Sequence, residues 1–314
     1  QSIIGVGPPE MPAWEAWSAT ARSIQRMQAK LSQKLNHSHA LSLAVGDTKF
    51  SLEMSRRSML LSTYGFRCFS LCLGNRPESN GYFTWNDTSH EDHPQRFKRV
   101  PVIGRHTWTV NMTNAGLVPR GLLSPDLRSD SDGTLDLGCS SGCGAIVDSG
   151  TSFLMMPGDV IDKLQEKLND LEVNCSNMHE FPDLVFTLGQ HTFSLPPDAY
   201  LAKVTRPASR GAASLMRARD LSFQTGHCEL TVLETTSTSR WGPLWILGMP
   251  FFRKYYTTFD LGRTKSQRSL FVAKAGHQCY PAEAEANLAL DSGQEVVRRH
   301  FDLSQAYFSP VVRK

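Results

Sequence analysis

The sequence predicts a mostly β fold with a few helices, and two observations lead there. Ala145, Ile146 and Val147 read as a short buried strand that stops at Asp148 and passes into Ser149, Gly150, Thr151 and Ser152, which cannot continue a packed core. Later, the apolar run Trp245, Ile246 and Leu247 meets Gly248, and aromatic and β-branched residues follow as far as Asp260.

In chain order the first element is helical. Apolar residues recur at Trp14, Trp17, Ala21, Ile24, Met27, Leu31 and Leu35, while Arg22, Arg26, Lys30 and Lys34 line another face. That spacing predicts an amphipathic helix packed on the rest of the protein with its basic face in water. Cys68-Phe-Ser-Leu-Cys72 reads as a strand, and four residues of extended chain hold its two thiols about 13 Å apart, beyond disulfide reach. In Ser131-Asp132-Gly133-Thr134 the preceding residues are polar, so no buried strand presents the aspartate and a hairpin turn is expected.

The Asp148 turn is different. Gly150 permits a tight reversal, and the hydroxyls of Ser149, Thr151 and Ser152, with nearby N–H groups, can hold an ionised carboxylate in one orientation. A helix is expected over residues 158–171, with Val160, Ile161, Leu164, Leu168 and Leu171 inward and Asp159 and Asp162 near its N-terminus, supporting that turn. Beyond Ala275 the pattern loosens into a mixed tail. Within it Asp291-Ser-Gly293 is followed by Gln294 instead of a hydroxyl residue, in an Ala- and Glu-rich setting, and is not expected to present an acid.

At 314 residues and 40% hydrophobic content the chain can bury one large core or two. No apolar run approaches the length of a membrane span, so membrane contact is not expected. The net charge of +3 is too small to argue for nucleic acid. His37 and His39, and His90 and His93, lie in polar loops without a full ligand set, so neither metal nor cofactor is expected. Asn36, Asn86, Asn111 and Asn174 head Asn-x-Ser/Thr triplets, which accept glycans in a secretory compartment.

The ordered series of residues 59–275 resembles the second lobe of pepsin-like aspartic proteases. The Asp148-Ser-Gly-Thr-Ser152 turn and the apolar-apolar-Gly segment ending at Gly248 carry the resemblance. Segments 69–73, 81–85, 100–102, 108–110, 184–195 and 196–201 extend it. It implies one lobe, the second, of a bilobal acid-protease fold. Asp148 would be that lobe's catalytic aspartate, Ser149 would brace the two active-site loops, and Thr151 would hydrogen-bond the carboxylate. Gly150 and Ser152 would meet the substrate backbone, while Ile246, Leu247 and Gly248 form the surrounding loop. Met249 departs from the pattern, in which an acid often follows that glycine. Disulfides Cys139–Cys143 and Cys175–Cys228 are implied, worth about 2 and about 4 kcal/mol by chain entropy, and with them oxidising surroundings. For Cys279 the sequence leaves open a bond to Cys68, to Cys72 or to the absent first lobe, and a buried free thiol is the favoured expectation.

The implied activity is that of an aspartic-type endopeptidase acting on extended polypeptides. Two like carboxylates a few ångströms apart cannot both ionise cheaply, so one stays protonated and the other is a base; this dyad is a standard illustration of the effect. One acid alone cannot fill both roles. Ile3-Ile-Gly5-Val-Gly7 looks like the segment that closes the first lobe, and Gln1 instead of Met fits a truncated or processed sequence. The first lobe is therefore expected to be absent from these residues, supplied by the same polypeptide or by a separately processed chain, and this chain alone is expected to be inactive. The expected organisation is an inter-lobe end with a helical insertion (1–58), a catalytic lobe (59–275) and a C-terminal extension (276–314). The expected setting is the secretory pathway, outside the cell or in an acidic vacuolar or lysosomal lumen. The alternative is a non-catalytic relative acting as a binding or structural subunit.

Overall fold

A computed structural model describes residues 6–8, 21, 22, 24, 25, 49, 60–74, 80–119, 134–170, 178–203, 228–235, 237–276, 279 and 281. Its contacts divide the chain into residues 1–282 and residues 283–314, the second unit lying outside the described residues. The described part is mostly β.

In chain order the strands are β1 (Cys68–Cys72), β2 (Tyr82–Trp85), β3 (Lys98–Pro101), β4 (Thr109–Val118), β5 (Leu135–Gly138), β6 (Cys143–Val147), β7 (Leu154–Pro157), β8 (Asp183–Leu188), β9 (His191–Leu195) and β10 (Leu201–Lys203). After them come β11 (Cys228–Leu230), β12 (Val232–Thr235), β13 (Thr238–Ser239), β14 (Gly242–Leu247), β15 (Tyr255–Asp260) and β16 (Ser269–Lys274). Two helices matter for the site, α1 (Gly158–Asp170) and α2 (Met249–Lys254). On α1 the expected inward residues Val160, Ile161, Leu164 and Leu168 are buried, while Leu171 lies outside the described residues. Ala21, Arg22, Ile24 and Gln25 are helical and Ile24 is buried; the rest of the expected first helix lies outside the described residues.

Nine strands form the larger sheet, in the order β12-β7-β14-β6-β4-β8-β9, with β13 on β14 and β5 on β4. Its centre decides where the acid sits. β6 and β7 are consecutive in sequence but not neighbours, because β14 lies between them, parallel to β6 (Leu247 opposite Val147) and bridged to β7 at Ile246 and Met155. The connection from β6 to β7 must therefore cross the end of β14. Trp245 is fully buried, and Phe251 on α2 packs against Phe186, Phe193 and Tyr255. Each such ring stabilises the core by about 1.5–3 kcal/mol.

The second sheet has the order β2-β1-β15-β16-β3, every neighbouring pair antiparallel. All five residues of β1 are buried, as a strand covered on both faces requires. Phe69 stacks on Phe259 and meets Trp108 edge-on. The indole N–H of Trp108 donates to the Val6 carbonyl at 2.8 Å, which holds Val6 against this core.

One expectation is overturned here. Cys279 is not a free thiol: it is bonded to Cys72, 207 residues away. β1 runs beside β15 and β15 beside β16, and past β16 the chain returns through an Ala275–Pro281 bridge. This brings Cys279 into a buried cluster with Cys72, Tyr256 and Ala273. Spacing along one strand correctly keeps Cys68 and Cys72 apart, and Cys68 is free and buried. Burial first, then the charges of Asp260 and Asp87, push its thiol up to about 12.

Candidate active site

The site is built at the end of β6. The Trp108 carbonyl accepts the Val147 N–H and the Leu247 carbonyl accepts the Asp148 N–H, each at 3.0 Å, so β4 and β14 clamp the backbone on either side of the acid. The chain then turns within the loop. Gly150 N–H donates to Asp148 Oδ1 at 2.9 Å and the Thr151 hydroxyl donates to Oδ2 at 2.7 Å. Both oxygens are held by neighbours in sequence, so the carboxylate is oriented before anything binds. Asp148, Ser149 and Thr151 are half-buried, and Gly150 and Ser152 are exposed.

Gly248 follows from the crossing. A side chain there would meet the Phe153 carbonyl at 2.1 Å and the Thr151 carbonyl at 2.4 Å, so only glycine lets the loop pass over the end of β14. Met249 N–H donates to the Thr151 carbonyl at 2.8 Å and locks the crossing. Ile246 is half-buried and Leu247 buried, both on β14 beside β6. The structure therefore gathers Asp148, Ser149, Gly150, Thr151, Ser152, Ile246, Leu247 and Gly248 into one place. Ser149 makes no side-chain hydrogen bond among the described residues, and Met249 is half-buried.

Cys139 and Cys143 form a disulfide across a tight turn closed by Gly142 N–H on the Cys139 carbonyl, just ahead of β6. Cys228 begins β11, and Cys175 lies outside the described residues, as do Asp132, Asp291, His37 and His39. His90 is buried with its ring on Phe271, whereas His93 is exposed. No group of three or more metal-binding side chains occurs among the described residues, and no helix there is long and apolar enough to cross a membrane.

A second carboxylate, singled out by nothing in the sequence, is buried in the five-stranded sheet. Asp87 Oδ1 accepts the Ser89 N–H at 3.0 Å and the Ser89 hydroxyl at 2.6 Å. Its Oδ2 accepts the Tyr256 hydroxyl at 2.7 Å and the Ser70 hydroxyl. Burial alone pushes this carboxyl up, but the donated hydrogen bonds from Ser70, Ser89 and Tyr256 outweigh it and hold the group below the usual carboxylate range. Burial and then the Asp87 charge push the Tyr256 hydroxyl well up, so it stays a donor. Asp87 lies in Asn86-Asp87-Thr88, which reads as a polar turn; its partners Ser70 and Tyr256 are 17 and 169 residues away.

The family model described as eukaryotic aspartyl protease matches residues 65–270. Pepsin A of Bos taurus is 28% identical over 204 residues, which are 63% of this chain and 45% of that protein. Gastricsin of Suncus murinus is 34% identical and gastricsin of Homo sapiens 33% identical, each over 135 residues, 40% of this chain and 30% of the relative. The chain spans less than half the length of these curated relatives.

Proposed function

Because this chain belongs to the eukaryotic aspartyl protease family, we propose that it hydrolyses peptide bonds through a water activated between two aspartates, of which it supplies Asp148. One carboxylate takes a proton from the water, whose oxygen attacks the peptide carbonyl. The protonated partner donates to the carbonyl oxygen to give a tetrahedral gem-diol. As that collapses, the C–N bond breaks, the nitrogen takes the proton first removed from the water, and the gem-diol returns a hydroxyl proton to the partner carboxylate, with no covalent enzyme intermediate. The observation that carries this reading is the posture of Asp148, with one donor fixed on each oxygen in a half-open loop. Gly150 and Ser152, exposed beside it, would meet an extended substrate backbone, and Ser149 would brace the partner loop.

The hydrogen-bond donors on Asp148 are Gly150 and Thr151, neither of them an acid. The second aspartate is therefore assigned to a first lobe outside these residues, in the same polypeptide or in a processed companion. Residues 59–275 form the catalytic lobe, residues 1–58 the inter-lobe end with its insertion, and residues 276–314 an extension anchored at Cys279. Two disulfides support an oxidising, secretory setting, outside the cell or in an acidic vacuolar or lysosomal lumen.

The test is cleavage of an unfolded polypeptide at acid pH by the 314-residue chain with and without its first lobe, each alongside Asp148→Asn. Activity is expected only with both lobes and is abolished by the substitution. Cleavage indifferent to Asp148→Asn would remove this residue from the mechanism. Met249, standing where an acid often follows the glycine in the resembled family, favours a second reading, a non-catalytic binding or structural subunit. That reading predicts peptide binding without cleavage even when both lobes are present.

A further inference from the structure

We infer that Asn86 carries an N-linked glycan in the folded protein and that Asn111 does not. The inference rests on the secretory setting proposed above. Both residues head Asn-x-Thr triplets, so the sequence treats them alike. The fold separates them.

Asn86 follows β2 at the rim of the five-stranded sheet. It is exposed and sits at φ 48°, a left-handed conformation that asparagine tolerates better than most residues. Its backbone is fixed by Asn86 N–H on the Cys68 carbonyl at 2.8 Å, and its side chain by Arg67 N–H on Oδ1 at 3.0 Å. The contact falls on the oxygen. The amide nitrogen, where a sugar attaches, takes no part in it.

Glycan transfer preserves this arrangement. The bond from sugar C1 to the pyrophosphate oxygen of a lipid-linked oligosaccharide breaks, and a C1–Nδ2 bond forms. The amide gives up one proton and keeps the other, and the lipid pyrophosphate leaves. Oδ1 remains a carbonyl oxygen, so the Arg67 contact survives. Thr88, whose hydroxyl the transferase requires, is also exposed, and that hydroxyl donates to Oδ2 of the exposed Asp92 at 3.1 Å.

Asn111 has the opposite surroundings. It lies within β4, opposite Gly144 of β6, and its carbonyl takes the Gly189 N–H from the hairpin that joins β8 to β9. It is half-buried, with its Oδ1 next to the Gly142 turn, where an added carbon would stand in ordinary contact at 3.4 Å. β4 is held on both sides at this point, and a branched sugar on a half-buried side chain there would crowd the face of the sheet. Chains modified there during synthesis would fail to close the larger sheet and would be missing from the folded product.

The experiment expresses the full chain behind a secretion leader in a eukaryotic cell. Glycans are released in heavy-oxygen water, which turns a glycosylated asparagine into labelled aspartate, and the peptides are mapped by mass spectrometry. Label at Asn86 in most secreted molecules and none at Asn111 is the expected result. Thr88→Ala should remove the label and Thr88→Ser retain it, with both variants folded. An unlabelled Asn86, or a labelled Asn111 in folded protein, overturns the assignment and leaves the protease reading untouched. The same mapping on protein from its own cells tests the compartment. Label absent there but present in the leader-directed chain overturns the secretory setting and the native glycan with it, while the acid-pH cleavage assay still judges the protease reading independently.

Discussion

Asp148 and Asp87 are the same side chain at two sheets of one chain, and their surroundings are opposite. Asp87 is buried under four donors brought from β1, β15 and the turn after β2. Asp148 is half-open and takes two donors, both from its own loop. A carboxylate saturated by distant partners ties elements together and is left with no lone pair for a substrate. One oriented by local donors costs the fold little and keeps an edge free. Each region also has its own disulfide: Cys139–Cys143 closes a local turn ahead of Asp148, and Cys72–Cys279 spans 207 residues beside Asp87.

The comparison can be broken at either end. The largest effect is expected from Asp148→Asn, which should lower kcat by about 10³-fold or more while the melting temperature barely moves. Steady-state kinetics with calorimetry on the two-lobed protein checks this, and a large loss of stability would mean that Asp148 is structural after all. Next, replacing Cys72 and Cys279 together by serine should cost about 4 kcal/mol, since the bridge closes a long loop, whereas replacing Cys139 and Cys143 should cost about 2 kcal/mol. Urea unfolding of the two double variants ranks them.

Asp87→Asn should cost about 2 kcal/mol at neutral pH, because its new amide N–H₂ would face the hydroxyl donors. The sign of the pH dependence follows from the direction of the shift. The carboxyl is lower in the folded state than in the unfolded one, so its contribution is complete above the unfolded value and fades as pH falls through the folded value. The gap between wild type and Asp87→Asn should therefore narrow below about pH 4, as followed by urea midpoints across pH. A gap that widens in acid would sink this account of Asp87. The smallest effect is expected for Thr151→Val, about tenfold in kcat with KM unchanged, since it removes one of the two donors on Asp148.

The Asp148 loop was legible in the sequence because everything that shapes it is local. An apolar strand, an aspartate, a glycine and hydroxyls lie in consecutive positions, and the glycine at position 248 marks where the loop crosses. Helix α1 was legible for the same reason, through its periodic apolar face. The Asp87 network and the Cys72–Cys279 bridge were not. Their partners meet only after β1, β15 and β16 have paired, and no spacing within Cys68-Phe-Ser-Leu-Cys72 or Asn86-Asp87-Thr88 encodes that meeting. With no strand order to choose between Cys68, Cys72 and the absent lobe, the sequence favoured a free thiol at Cys279; the antiparallel pairing of the last strand supplied its partner.

The span of the Cys72 bridge has a consequence for how the protein is made. At a synthesis rate of about 5–20 residues per second, Cys279 leaves the ribosome about ten to forty seconds after Cys72. Over that interval Cys72 waits as a reduced thiol four positions from Cys68, while in oxidising surroundings Cys139 and Cys143 can close at once. Quality control of the nascent chain is therefore concentrated on one cysteine, and slowing translation between these points should raise the yield of wrongly paired product.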